Sequence, residues 1–170
     1  MNELLLRDIT EVDLNRERSY DENLLKCTMQ NKCPTCQNQI THDIYLEEPD
    51  SVLYEDDFFR VVLEYRPRKS GHTVIIVKRH YEDISDMPVE LAQPLFTVMH
   101  KVILALKMVL KAEKVYVLTM CDNGKNHLTF QLLPRYKGEP AGSKVFTSPR
   151  HRLKTNSKVI SALRMYIKQL

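Results

Sequence analysis

With only four glycines and eight prolines in 170 residues, the chain is neither collagen-like nor of low complexity. It has no uninterrupted apolar run near the ~18 residues that a bilayer span needs. The nearest, VILALKMVL at 102–110, is broken by Lys107. The opening MNELLLRDITEVD lacks the basic start and long apolar stretch of a secretory signal. Membrane and secreted classes are disfavoured, and the cytoplasm is the expected location. A large charge of one sign is lacking too. The net charge of +3 is too small to imply nucleic acid by itself. Two short basic stretches, Arg66/Arg68/Lys69 and Arg150/His151/Arg152/Lys154, read as solvated loops, with a phosphate-tracking surface as the alternative.

What is present is ordinary for a globular protein: 43% apolar and 28% charged residues, in a length that suits one domain with a short appendage. There are four cysteines, Cys27, Cys33, Cys36 and Cys121, and two of them form a C-x-x-C pair. Without a secretion signal, this usage points to a reducing compartment and to a metal or redox role rather than a disulfide framework.

Residues 1–31 read as an appendage. Leu4–Leu6 and Asn23–Leu25 suit short helices, and the polar stretch Arg16–Asn23 suits a mobile link. From Ser51 onward the strand signals strengthen. Val52–Tyr54, Phe58–Tyr65 (FFRVVLEY) and His72–Lys78 (HTVIIVK) are rich in aromatic and β-branched residues and are separated by short turns, as in an antiparallel meander. The period then changes. Leu91, Leu95, Val98, Val102, Leu106 and Val109 form one helical stripe, widened by Phe96, Met99, Ile103 and Leu110, so this helix should lie flat on a sheet. His100 on it reads as a surface or boundary residue. Lys114–Cys121 is strand-like, Asp122-Asn123-Gly124 is a turn signature, and His127–Leu133 alternates strictly before Pro134. Val159, Leu163, Tyr166 and Leu170 mark an amphipathic terminal helix. The predicted class is α+β: a five-stranded antiparallel meander with a long central helix and a C-terminal helix. The expected division is appendage 1–31, central domain 32–138 and C-terminal extension 139–170.

Alternation puts His127, Thr129 and Gln131 on one face of their strand and Leu128, Phe130 and Leu132 on the other. The stretch HLTFQLLPRY resembles the signature strand of the histidine triad (HIT) superfamily, His-φ-His-φ-His/Gln-φ-φ. Tyr54–Asp57, the Arg-Pro loop, Gly71–Ile76 and Lys78–Tyr81 also fit that family, in order and spacing, over roughly residues 33–136. The resemblance implies a HIT-like fold, a nucleotide or nucleotide-linked phosphate as ligand, and a homodimer formed through the long helix and the neighbouring strand.

The pattern departs from the family at the middle signature position, which is Thr129 where HIT enzymes carry the histidine nucleophile. A threonine hydroxyl is barely nucleophilic without a positioned base. The resemblance implies that Gln131 and His72 stand near the phosphate and that Glu64 stands where a carboxylate holds the ribose diol. The family's Gly-Gln-Ser phosphate loop is absent; Lys125 or Asn126 remains to touch a phosphate. It also implies a structural zinc ion (Zn2+) held by Cys33, Cys36, His80 and His127, since zinc takes four N/S ligands in a closed tetrahedron. His127 is then retained for metal ligation although the nucleophile is not. His42 and Cys27 are weaker ligand candidates, and Cys121 reads as packing at a strand end. The functional expectation is a nucleotide-binding HIT protein with a structural zinc and compromised catalysis. The alternatives are a hydrolase or transferase working by altered chemistry, with Thr129 activated by His72, and a regulatory or nucleic-acid-binding module.

Overall fold

The structure is a computed structural model that describes residues 4–42, 44–48, 50–120 and 125–169. The expected turn Asp122-Asn123-Gly124 and the residues Cys121 and Leu170 lie outside them. Two short strands at the ends of the chain, β1 (Leu6–Arg7) and β7 (Arg152–Leu153), pair antiparallel. The main sheet is made of β2 (Val52–Glu55), β3 (Phe59–Leu63), β4 (Thr73–Val77), β5 (Lys114–Leu118) and β6 (Thr129–Arg135). All its pairings are antiparallel, in the order β2-β3-β4-β6-β5. The first three strands form the expected meander. A crossover helix then carries the chain to the far edge, so β6 inserts between β4 and β5. Pro134 does not stop β6; it pairs with Val115 inside the strand.

The crossover helix α3 (Ala92–Leu110) follows two 3-10 turns, Ile84–Asp86 and Val89–Leu91, and ends at Lys111 in the left-handed region. Leu95, Val98, Met99, Val102, Ala105, Leu106 and Leu110 are buried; Ala105 joins the stripe read from the sequence, and Leu91, Ile103 and Val109 pack at its margin. Phe96, expected to widen it, is 66% exposed. By length and composition, residues Val89–Leu110 are long and apolar enough to cross a membrane. An uninterrupted-run criterion misses this because it does not tolerate the lysines that an average absorbs. The stripe of α3 is nevertheless the centre of the protein's core, packed on Phe59, Val61, Leu63, Ile75, Val77, Leu128, Phe130 and Leu132. Helix α4 (Ser157–Gln169) packs against α3 and β2 through Ile160, Leu163 and Ile167. Of the residues expected on this face, Leu163 is buried while Val159 and Tyr166 pack at the margin.

Gly71 sits under this layer with φ +78°, and a Cβ there would collide with the Leu110 side chain. Gly71→Ala combines left-handed strain with overpacking and should cost about 1–3 kcal/mol in chemical denaturation.

The N-terminal segment differs from its sequence reading. Glu11–Met29 is one continuous helix, α1, and its mostly polar residues form no strong apolar stripe. It is held instead by a capping box between Thr10 and Asp13. Asp13 is 1% exposed and also binds Arg7 through two hydrogen bonds of 2.6 and 2.7 Å and the Tyr65 hydroxyl at 2.9 Å. These donors hold its carboxyl well below the usual carboxylate range. Asp13→Ala should therefore lower stability by about 1–3 kcal/mol in urea unfolding, because it removes the one acceptor shared by Arg7, Thr10 and the buried Tyr65 hydroxyl. The basic stretch 150–154 is not simply a solvated loop either. Arg152 is buried at 2% exposure and ion-pairs with Glu17 of α1.

Candidate functional site

The sheet has two faces, and register decides what each carries. Pairing of Ile76 with Thr129, Val74 with Gln131 and Val62 with Val74 puts these side chains together, away from α3. Val62, Val74 and Ile76 form a separate apolar cluster that is the floor of a cavity of about 390 Å³. Thr129, Gln131, His72, Glu64, Lys125, Asn126 and His127 line this cavity, so the candidate ligand residues are brought to one place.

His72 is the most constrained of them, at 3% exposure. The Arg68 backbone N–H donates to its Nδ1 at 3.3 Å, so the ring proton sits on Nε2, which donates to Gln131 Oε1 at 2.7 Å. The Gln131 amide oxygen is thereby used, and its NH2 remains as the donor end of the group. Glu64 accepts the Arg66 N–H at 3.0 Å through one carboxylate oxygen. The Asn126 NH2 donates to the Glu82 carbonyl at 2.6 Å, which pins the loop before β6.

Burial lowers the His72 pKa. The unfolded chain, with an ordinary histidine, then binds the extra proton more readily than the folded one. Stability is complete above the unfolded value of about 6.5 and is lost as the pH falls below it. Unfolding titrations should show this slope, and His72→Gln should make it shallower by up to one proton.

Beside the cavity lies a second cluster. Helix α2 (Pro34–Thr41) starts with Cys33 as its N-cap and Pro34 in its first turn, so the Cys36 N–H points at Cys33 Sγ, 3.5 Å away. The Gln39 NH2 donates to the Lys78 carbonyl at 2.9 Å, tying α2 to the end of β4. There the Leu128 N–H donates to the Tyr81 carbonyl at 2.7 Å and sets His127 beside His80. The ligand atoms of Cys33, Cys36, His80 and His127 lie within 4.8 Å of one another. His127 Nδ1 is 3.4 Å from Cys33 Sγ, 3.5 Å from Cys36 Sγ and 3.4 Å from His80 Nδ1, and His80 Nδ1 is 3.4 Å from Cys36 Sγ. A tetrahedron with zinc-type bond lengths has S···N edges of about 3.6 Å and N···N edges of about 3.3 Å. His127 Nε2–H donates to the Val77 carbonyl at 2.6 Å, which leaves the Nδ1 lone pair facing the cluster. Burial and the adjacent Cys33 push the Cys36 thiol up to about 12. Neither His42, the exposed left-handed cap of α2, nor buried Cys27 belongs to the cluster.

Several cavity residues were not legible in the sequence. Tyr20 comes from α1, Tyr45 from the chain after α2, and Phe146 and Arg150 from the C-terminal extension. Asn38 Oδ1 accepts the N–H groups of Ile44 and Tyr45 at 3.0 and 2.9 Å, and Tyr45 then stands near Tyr20 with ring centroids 6.1 Å apart. The local signals are the Thr10–Asp13 capping spacing, which marks where α1 begins, and the basic stretch that contains Arg150.

An antiparallel sheet backed by a core helix, with a polar row on its open face and a Cys2His2 cluster at one end of that row, defines a HIT-type architecture. The HIT domain model matches residues 45–135, just over half of the 170, and the protein belongs to the HIT domain family. It is similar to an uncharacterized HIT-like protein of Methanocaldococcus jannaschii, 31% identical over 99 residues that make up 55% of this chain and 74% of that one. A stretch of 76 residues is 34% identical to an adenylylsulfatase of Arabidopsis thaliana, covering 45% of this chain and 36% of that protein. Among solved structures, a zinc-bound histidine triad family protein from Mycobacterium smegmatis has the same fold, with a TM-score of 0.61 and 23% identity over 81% of this chain and 94% of that one.

Proposed function

We propose that this protein binds a nucleotide or nucleotide-linked phosphate in the cavity over its sheet, holds a structural zinc ion beside it, and lacks the covalent histidine chemistry of HIT enzymes. The observation that carries this reading is the polar row Thr129–Gln131–His72 along an apolar floor, with Thr129 at the nucleophile position. The floor suits a flat base or a sugar ring, the Gln131 NH2 and Lys125 suit phosphate oxygens, and Glu64 suits ribose hydroxyls. Both ring nitrogens of His72 are engaged, by Arg68 and Gln131, so His72 is not a base for Thr129. That favours binding over a threonine nucleophile. An active hydrolase or transferase then needs direct attack by water.

Zinc is supported by the donor set and its spacing, and by a fold neighbour described as zinc-bound. When bound, zinc supplies a closed structural clamp between α2 and the ends of β4 and β6. A thiol pair kept reduced for this purpose suits the cytoplasm. A homodimer belongs to the same reading: β5 is an edge strand with Val117 42% exposed, and Phe96 on α3 is 66% exposed. Sedimentation analysis should give twice the chain mass.

A thermal-shift screen of nucleoside monophosphates, diphosphates and nucleotide sugars tests the binding. A true ligand at a hundredfold excess over Kd should add about 2.7 kcal/mol of stability. No shift with any of them would leave a scaffold without a nucleotide site.

A further inference from the structure

The cavity has a basic end that the polar row does not explain. Arg66 and Arg68, in the loop between β3 and β4, and Arg150, just before β7, all line it. They belong to two backbones pinned side by side. The His151 N–H donates to the Pro67 carbonyl at 2.8 Å and the Leu153 N–H to the Tyr65 carbonyl at 3.0 Å. Arg150 Nη1 donates to the Arg66 carbonyl at 2.9 Å, and Arg68 Nη1 donates to the Ser148 carbonyl.

These carbonyls orient the guanidinium groups of Arg68 and Arg150 without neutralising them. Among the described residues neither has a carboxylate within ion-pair distance, whereas Arg66 shares Glu17 with Arg152. Glu64 and Glu47 are the acids among the residues that line the cavity, and Glu47 is paired with Arg60. Burial is the main cause of the lowered Arg150 pKa; the Glu64 carboxylate opposes the shift, and repulsion from Arg68 and Arg66 adds to it. An anion placed between them would relieve that repulsion.

The geometry also says how far this end lies from the polar row. Along β4, Ile76 stands beside Thr129 and Val74 beside Gln131, and His72 follows one step further. Four residues of strand span about 13 Å. The Arg68 backbone is bonded to His72 at the end of that span. Thr129 thus stands about 13 Å along the sheet from the His72 end, while Gln131, hydrogen-bonded to His72, stands about half as far.

We propose that the ligand carries two phosphoryl groups, one at Gln131 and Thr129 and a second clamped by Arg68 and Arg150. This rests on the nucleotide reading given above and narrows its ligand class to doubly phosphorylated nucleotides. The clamp is built by the C-terminal extension, since Arg150 and the Ser148 carbonyl both come from it.

Isothermal titration of the full chain tests this. The probes are the 5′-monophosphates of adenosine, guanosine, cytidine and uridine, compared with the corresponding 5′-diphosphates and 3′,5′-bisphosphates. For at least one nucleoside the second phosphate should tighten binding by about tenfold or more, as expected for charge-assisted contacts. In Arg68→Ala and Arg150→Ala that affinity ratio should fall toward one. Arg150→Gln keeps a donor for the Arg66 carbonyl, so it guards against loss of fold and should lose the ratio as well. Monophosphates binding as tightly as doubly phosphorylated nucleotides in the wild type would overturn the clamp and leave the nucleotide site standing. So would a ratio that survives in all three variants. If none of the nucleotides binds, the nucleotide reading itself falls and the clamp falls with it.

Discussion

Thr129→His should convert the protein from a nucleotide binder into a measurable hydrolase of nucleoside phosphoramidates or related nucleotidyl substrates. The introduced imidazole would stand opposite Ile76 on the cavity floor, in the row that includes Gln131. Its neutral nitrogen would attack the α-phosphorus, the leaving group would depart with its electron pair, and the resulting phosphoramidate would be hydrolysed by water. The rate should rise by about two orders of magnitude or more over the wild type. Trapping of nucleotide label on the variant chain, and not on the wild type, should accompany it. A wild type that already turns over quickly, with activity unchanged in Thr129→Ala, would show instead that the chemistry bypasses this position.

Removal of the metal should have the largest effect on stability. A ligand bound to the folded state at a thousandfold excess over its Kd contributes about 4 kcal/mol. For a chain of this size that corresponds to a fall in Tm of roughly 10 °C on chelation. Cys33→Ser should start near the chelated value and respond little to chelator. Binding should also depend on pH. The Cys36 thiol, pushed up to about 12 by burial and the adjacent Cys33, must lose its proton to become a ligand, so the apparent affinity for zinc should rise with pH and fall on acidification. Competition with a chromophoric chelator at several pH values measures this directly.

Local pattern made much of the fold readable. The β-branched runs at 52–54, 58–65 and 72–78 became β2, β3 and β4 because each has enough apolar side chains to cover a sheet face. The three-and-four spacing from Leu91 became α3 because one stripe has to meet that sheet. Alternation along 127–133 correctly put Leu128, Phe130 and Leu132 into the core, and it needed no long-range information. The cluster Cys33, Cys36, His80 and His127 was legible by resemblance, although its members are far apart in the chain.

Elements stabilised by polar or distant contacts were not legible. The polar stretch Arg16–Asn23 suggests a mobile link; what holds helix α1 is the Asp13 network and its packing near Tyr65. A basic residue in a basic run is normally solvated, whereas Arg152 sits in β7, paired with β1, and is buried against Glu17. Tyr20 reaches the cavity from α1 with no local signal to mark it, whereas Arg150 belongs to a basic stretch for which a phosphate-tracking surface is the alternative reading.

The most direct test is the metal content of the wild-type chain by native mass spectrometry beside elemental analysis. One zinc per chain is expected, absent in both Cys33→Ser and His127→Ala. A wild-type protein that is fully folded, free of metal, and unchanged in Tm on addition of zinc would mean that the four converging side chains are not a metal site, and that His127 is retained for some other reason.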